Sequence, residues 1–268
     1  MAGSRGSAPC GVLEKHRRFS VVNASRAKMS QERKPKAKCD WMTLTAGRSP
    51  NEGGEDVGII VSEGYKFIGA AVGLAVILGI FVNPYAAIPP GVLAVYFAYF
   101  FRNPKRKIEA NEAHVLSPAD GTVQDISEVE YDEFLKGAGN KITVFMSVFN
   151  VHVNRSPIDG EIKYQKYVCG RFRPAYKDSV GYENEHHLIG IENDRLRITV
   201  TQIAGILARR IVSWVTLSDN LKQGELYGMI RFGSCLEIVM PKDVEVLVKK
   251  GEKVTGGKTV LGRIVEEA

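Results

Sequence analysis

Three residues of the sequence have the side chains needed for nucleophilic catalysis. They are Asp120 in "SPADGTV", His152 in "FNVHVNRSP" and Ser234 in "RFGSCLE". A histidine that is hydrogen-bonded to a serine hydroxyl and oriented by a carboxylate can take the hydroxyl proton and make the oxygen a nucleophile. Each residue also has a structural interpretation: a turn aspartate before glycine, a strand histidine and a bulge serine. The choice between the two interpretations depends on the elements that position these residues.

The segment around Ser234 has an interrupted strand pattern. Residues 228–241, "GMIRFGSCLEIVMP", mostly alternate like a strand, yet Gly233 and Ser234 lie at the centre of the pattern. Glycine weakens a strand and often marks a bulge or a close backbone approach. One interpretation is packing, and the other is that the Gly233–Ser234 peptide bond is itself the reactive group.

The chain from Ala113 onward is typical of a β-rich domain. Short β-branched runs recur there between Gly, Asp, Asn and Pro, at 141–153, 195–205, 209–217, 237–241 and 244–250. The segment 129–138, "VEYDEFLKGA", is the best helix candidate in this region. Residues 218–230 and 250–264 are weakly similar, since both have a polar turn, an apolar residue, a glycine and a returning strand. Such turns are common in barrel-sandwich folds such as the lipoyl and biotinyl carriers. No lysine, however, lies in the Met-Lys-Met context of a carrier's attachment site.

A long apolar segment precedes the β-rich region. Residues 67–101 contain no charged residue, and Asn83-Pro84 and Pro89-Pro90 divide them into two arms. The first arm, 67–82, would be about 24 Å long as a helix, against about 30 Å of hydrocarbon in a bilayer. Basic residues on both flanks predict that both ends lie on the cytoplasmic side. The segment is therefore predicted to be a membrane hairpin, spanning or re-entrant, and the alternative is a buried hairpin of a soluble core.

Composition and charge narrow the choice of partners. The net charge is +6, and much of the basic character falls in residues 1–56, which we expect to form a disordered extension without a secretory signal. Basic runs without interleaved aromatic residues are a weak nucleic-acid signal, and we expect no nucleic-acid partner. The four cysteines have no metal-ligand spacing and are expected to be reduced, with Cys235 a small core residue. His186 and His187 point to opposite faces of a strand and make a poor metal site, so no metal is expected.

Five separated motifs resemble the phosphatidylserine decarboxylases, specifically the short, membrane-associated class. The motifs are "FFRNPKR" (100–106), "SPADGTV" (117–123), "VHVNRSP" (151–157), "QIAGILARRIVSWV" (202–215) and "GMIRFGSCLEIVMP" (228–241). They occur in the same order as in that family, and the resemblance covers roughly residues 60–268. It implies a mainly β, barrel-sandwich-like catalytic domain at 108–268 after a hydrophobic hairpin with a basic flank at 57–107, with 1–56 outside the resemblance.

The resemblance implies a proenzyme that cuts its own chain between Gly233 and Ser234. The products would be chains 1–233 and 234–268, which remain together as a heterodimer. Ser234 would become a covalent pyruvoyl cofactor, His152 would be the base that deprotonates Ser234, and Asp120 would hold the tautomer of His152. The mature enzyme would form a Schiff base with phosphatidylserine and release phosphatidylethanolamine at the cytoplasmic face of the cell membrane.

Two other functions are compatible with the same residues. One is decarboxylation of a different serine phospholipid, for example archaetidylserine, because ester and ether tails leave little trace in the motifs. The other is a non-enzymatic, membrane-anchored barrel-sandwich adaptor or carrier. Autocatalytic cleavage distinguishes the adaptor from the enzymes, and assay of both lipids distinguishes the two enzymes.

Overall fold

The computed structural model describes residues 58–170, 184–205, 210–231 and 234–265, with only the main chain of Ser234 described. Gly233 and the predicted extension at 1–56 lie outside the described residues. The described chain begins with two helices and continues as β-structure. The predicted mainly β class with a preceding helical hairpin is confirmed.

The helical hairpin consists of α1 (Ser62–Phe81), a 3-10 helix (Pro84–Ala87) and α2 (Ile88–Phe100). Asn83 ends the first arm as predicted, and its side chain accepts a hydrogen bond from the N–H of Ala86 at 2.9 Å. Pro89 and Pro90 do not break the second arm. They lie in the first turn of α2, where proline is tolerated because those N–H groups have no partner within the helix.

The surface of the helical hairpin is apolar and exposed. Among the described residues, α1 alone is long and apolar enough to cross a membrane, with a mean hydropathy of 1.9. Large apolar side chains stay exposed along both helices and around the turn, namely Val72, Leu74, Val76, Ile77, Ile80, Phe81, Val82, Tyr85, Ile88, Val92, Leu93 and Val95. A hairpin buried within a soluble core would cover these side chains, so that alternative is wrong.

Within the described residues, the β-structure forms three antiparallel sheets. The strands are β1 (His114–Leu116), β2 (Gly121–Asp132), β3 (Gly137–Met146), β4 (Val153–Arg155), β5 (Gly160–Val168), β6 (His186–Glu192), β7 (Arg197–Ala204), β8 (Ile211–Ser213), β9 (Asn220–Leu221), β10 (Leu226–Ile230), β11 (Ser234–Pro241), β12 (Val244–Val246), β13 (Lys253–Val254) and β14 (Val260–Ile264). The largest sheet has the order β13-β2-β3-β11-β7-β6-β5-β9, and the others are β1-β14-β12 and β4-β10-β8. The strand that begins at Ser234 is therefore central in the largest sheet.

The base of the helical hairpin packs on the small sheet that contains β4, β8 and β10. The buried apolar cluster at this junction comprises Val61, Phe100, Phe101, Val151, Val153, Val212, Trp214, Leu226 and Met229. The indole Nε1 of Trp214 donates to Glu63 of α1 at 2.9 Å. At Gly64 an added Cβ would lie 2.6 Å from the Cβ of Phe101, so only glycine permits this close approach. The ends of the two helices are thereby fixed to the strands.

The predictions for the segment 129–138 and for the state of Cys169 are wrong. The helix predicted at 129–138 is a β-hairpin formed by the end of β2 and the start of β3. Asp132 accepts hydrogen bonds from the N–H groups of Phe134 and Leu135, and Lys136 has a φ of 56°, so the chain turns instead of coiling. Cys169 is disulfide-bonded, contrary to the expected reduced state. Cys235 is a buried thiol, as predicted for a small core residue.

Candidate active site

His152 lies just after a tight turn that joins β3 to β4. The turn is closed by the N–H of Ser147, which donates to the side chain of Asn150, and by the N–H of Asn150, which donates to the carbonyl of Ser147, both at 2.9 Å. The side chain of His152 is fully buried. Its Nδ1 lies 2.9 Å from the carbonyl oxygen of Asn150. Because a carbonyl only accepts, Nδ1 carries the proton and Nε2 carries the lone pair.

The surroundings of His152 favour the neutral imidazole. The ring of Phe100, at the end of α2, lies 4.3 Å from the imidazole centroid at an interplanar angle of 32°. The pKa of His152 is lowered to about 4, mainly by burial and to a smaller extent by the positive charge of Arg102, while the Asn150 carbonyl and the Asp120 charge oppose the shift. Nε2 is buried and has no hydrogen-bond partner among the described residues. An unprotonated nitrogen in this state can accept a proton.

Ser234 begins the central strand at the end of the sheet where His152 lies. Its main chain is opposite Met146 of β3 on one side and Ala204 of β7 on the other. Met146 is the last residue of β3, directly before the turn that leads to His152. On the preceding strand, the N–H of Ile230 donates to the carbonyl oxygen of His152 at 3.2 Å. The main chain on both sides of the Gly233–Ser234 position is thus held near the segment that carries His152.

Asp120 is held by a different set of partners from the one predicted. Its two carboxylate oxygens lie 2.6 and 2.7 Å from the two terminal nitrogens of Arg106, and the N–H of Gly256 donates to Oδ1 at 2.8 Å. Among the described residues no hydrogen bond joins Asp120 to His152. The contact that sets the tautomer of His152 comes from Asn150, and the charge of Asp120 acts on the imidazole through space by raising its pKa.

A buried chain of hydrogen bonds connects β5, β6, β7 and β4 to the end of β3. Gln165 Nε2 lies 2.9 Å from His187 Nε2, and His187 Nδ1 lies 3.0 Å from Gln202 Oε1. Gln202 Nε2 donates to Asn154 Oδ1 at 2.8 Å, and Asn154 Nδ2 lies 3.8 Å from Met146 Sδ. Both nitrogens of His187 are therefore used in positioning strands. The chain helps fix the strand ends that carry His152 and Ser234.

Reasoning from the sequence missed three residues that define this site. Phe100 covers the imidazole, Asn150 fixes its tautomer and Arg106 binds Asp120. Phe100 and Arg106 fall within the motif "FFRNPKR", and Asn150 lies two residues before His152. The motif positions were thus a usable signal, although they gave no indication of which atoms meet.

Comparison with known proteins identifies the class of enzyme. The profile of the phosphatidylserine decarboxylase family matches residues 93–262. Three similar proteins are each named phosphatidylserine decarboxylase proenzyme. That of Carboxydothermus hydrogenoformans is 46% identical over 77% of this chain and 97% of its own length. Those of Symbiobacterium thermophilum and Syntrophus aciditrophicus are 45% and 43% identical, over 77% and 76% of this chain and 96% of their own lengths.

These matches define a carboxy-lyase. The chain belongs to the phosphatidylserine decarboxylase family. This finding favours the enzymes over the non-enzymatic adaptor among the functions that the sequence left open.

Proposed function

We propose that this chain converts phosphatidylserine to phosphatidylethanolamine with a pyruvoyl group that it makes from Ser234. The observation that carries the proposal is the buried Nε2 of His152, which has no hydrogen-bond partner among the described residues and is a neutral base at the end of the sheet where Ser234 begins β11. A proton acceptor at this position fits the formation of a pyruvoyl group from serine. The proenzyme name of the relatives supports a chain that is cut during maturation.

Maturation begins when His152 Nε2 takes the proton of the Ser234 hydroxyl. The oxygen attacks the carbonyl carbon of Gly233, and the amide becomes an ester as the Ser234 nitrogen takes up a proton. Loss of the Ser234 Cα proton then expels the Gly233 carboxylate and leaves dehydroalanine at position 234. Tautomerisation to the imine and attack by water release ammonia and leave the pyruvoyl group. Gly233 has no side chain to obstruct the attack.

The two chains produced by the cut remain held together by the sheet. The small chain, 234–268, contains β11 to β14, and β11 pairs with β3 on one side and β7 on the other. The strands β13 and β14 pair with β2 and β1 of the large chain, 1–233. A heterodimer of these chains therefore needs no rearrangement after the cut.

In the mature enzyme, the pyruvoyl carbonyl would bind the substrate amine and accept the electron pair that remains on the substrate carbon when carbon dioxide leaves. The burial of His152 excludes water from its imidazole, and Asn150 keeps Nε2 as the proton-exchanging nitrogen. Decarboxylation consumes one proton, and Nε2 can take that proton from the substrate ammonium group on binding and deliver it to the substrate carbon after carbon dioxide leaves. Asp120 and Arg106 stabilise the loop before β2 and contribute a carboxylate charge near the imidazole.

The apolar helical hairpin would anchor the enzyme in the membrane that contains its substrate. Its exposed apolar helices extend from a base that is fixed to the strands beside His152. The flanking basic residues Lys66, Arg102 and Lys105 favour the cytoplasmic face, where they lie near anionic head groups. The arrangement brings a lipid head group to the catalytic end of the sheet.

The test is denaturing mass spectrometry of the purified protein, followed by a decarboxylation assay. Two chains are expected, and the smaller should span 234–268 with a blocked N-terminus. Ser234→Ala should abolish the cut, and His152→Gln should slow it at least about 100-fold, the usual contribution of a general base. Recovery of one intact chain from active protein would refute the proposal. Parallel assays with ester-linked and ether-linked phosphatidylserine decide the lipid class.

A further inference from the structure

Arg210 and Arg231 form a cross-strand pair of like charges next to the proposed cleavage site. Strands β8 and β10 are antiparallel, with Ile211 opposite Ile230. One position further, the N–H of Arg231 donates to the carbonyl oxygen of Arg210 at 3.2 Å. Residues opposite each other in such a pair share a sheet face, with Cβ atoms about 5 Å apart, and like charges there are destabilising. The arrangement favours an anion that neutralises both arginines.

The protein itself does not supply that anion within the described residues. No carboxylate in the described parts of the chain forms an ion pair with Arg210 or Arg231, and the Nε of Arg231 is buried without a hydrogen-bond partner. Burial lowers the pKa of Arg231, and the charge of Glu63 opposes that shift through space without an ion pair. Glu63 accepts its hydrogen bond from the indole N–H of Trp214, at 2.9 Å.

The pair lies between the helical hairpin and position 234. The guanidinium of Arg231 lies over the ring of Phe67 in α1, 5.6 Å from its centroid. Ser234 follows Arg231 by three residues, a span of at most about 10 Å. A lipid whose tails lie along the hairpin and whose amine reaches position 234 brings its phosphorus close by, because only the serine carbons and one ester oxygen separate the two groups.

We propose that Arg210 and Arg231 bind the phosphodiester of the phospholipid substrate. The proposal rests on the proposed function, because it assigns the head-group part of the same site. Arginine suits this ligand since its planar fork donates two parallel hydrogen bonds to phosphate oxygens. Arg231 is half-buried and fixed against Phe67, and Arg210 is exposed at the edge. The first orients the phosphodiester and the second closes over it from the solvent side.

The test compares Arg210→Gln and Arg231→Gln with the full-length wild type in detergent micelles. Arg263→Gln is the matched control, because Arg263 is an exposed strand arginine ion-paired with Glu245 away from this site. Mass spectrometry first establishes that each protein is cleaved. The KM for phosphatidylserine should rise about 10-fold or more in each test variant, the size of one charge-assisted hydrogen bond, with kcat within about twofold. Arg231→Lys should recover part of the loss, and the control should match the wild type.

Soluble inhibitors identify the source of the phosphate. Glycerophosphoethanolamine has the head group without tails, and it should inhibit the wild type competitively and both test variants about 10-fold more weakly. Unchanged KM values in both variants would overturn the proposal. So would inorganic phosphate that inhibits as strongly as glycerophosphoethanolamine, which would indicate a free-phosphate site. The proposal would also be overturned if glycerophosphoethanolamine inhibited the test variants as strongly as the wild type while the variants bound phosphatidylglycerol vesicles more weakly. That result would assign the arginines to general attraction to an anionic membrane.

The two proposals fail in different ways. A wild type that cleaves itself but leaves phosphatidylserine intact contradicts the proposed function. An active wild type whose variants are unchanged contradicts only the phosphodiester site. Should Arg231→Gln fail to fold or to cleave, Arg210→Gln decides the question, because its exposed side chain is not part of the core.

Discussion

The contact between Phe100 and His152 makes a quantitative prediction about the catalytic base. The Phe100 ring covers the imidazole at 4.3 Å, and both side chains are fully buried. Burial is the main cause that lowers the pKa of His152 from 6.5 to about 4. At about 1.4 kcal/mol per pKa unit, the folded protein disfavours the imidazolium by about 3 kcal/mol. Phe100→Leu opens one face of the ring and should raise the pKa of His152 by about one unit or more.

Phe101→Leu is the control for this change. Phe101 is the next residue, is equally buried in the same cluster, and stacks on Phe67 at 5.3 Å between centroids. Both replacements remove the same volume from the cluster, so their effects on thermal stability should be similar. Only Phe100→Leu should change the titration of His152.

The assay uses the Ser234→Ala protein, which keeps the chain uncut while the histidine titrates. The chain has five histidines, so their NMR titrations can be resolved and assigned by substitution. With Ser234 restored, the rate of self-cleavage should stay constant from pH 8 to about pH 5 in the wild type. In Phe100→Leu it should begin to fall at a pH about one unit higher. An unchanged His152 titration in Phe100→Leu, or an equal shift in Phe101→Leu, would refute the reasoning.

Four further predictions follow from other contacts. The unfolded chain protonates His152 below about pH 6.5, whereas the folded chain does so only near pH 4. The free energy of unfolding of the Ser234→Ala protein should therefore fall by about 3 kcal/mol as the pH is lowered from 6.5 to 4. Urea titrations measure this loss, and His152→Gln should abolish it. Asp120→Asn removes the ion-pair partner of the buried Arg106 side chain and should lower the free energy of unfolding by about 3 kcal/mol. The Asp120→Asn/Arg106→Met double variant should recover part of that loss. Equal melting temperatures of the wild type and Asp120→Asn would contradict this. Trp214→Phe removes one hydrogen bond at the base of the helical hairpin and should lower the free energy of unfolding by about 1 kcal/mol, as measured by denaturant unfolding. An unchanged free energy of unfolding would show that this hydrogen bond does not stabilise the protein. Burial raises the pKa of Cys235 to about 12, so iodoacetamide at pH 8 should modify it only after unfolding, and rapid labelling of the folded protein would contradict its burial.

The sequence predicted the parts of the site that local patterns encode. The apolar segment at 67–101 predicted the helical hairpin because its length and lack of charge are local properties. The β-branched runs predicted a mainly β domain for the same reason. The motifs containing Asp120, His152 and Ser234 indicated the chemistry. The segment 129–138 was mispredicted because its composition suits a helix, whereas the Asp132 side chain caps a turn and Lys136 adopts a left-handed conformation.

Only the tertiary structure decided which atoms meet at the site. The carboxylate of Asp120 binds Arg106 and not His152, and Phe100, 52 positions away in the sequence from His152, supplies the cover over the imidazole. Arg210 and Arg231 are unremarkable in the sequence and become a charge pair only when β8 and β10 align. These contacts join residues that are distant along the chain, and strand register and helix packing determine them. Residue types and spacing thus set which reactions are available, and the packing of the helical hairpin against the sheet sets the protonation state and surroundings of the base.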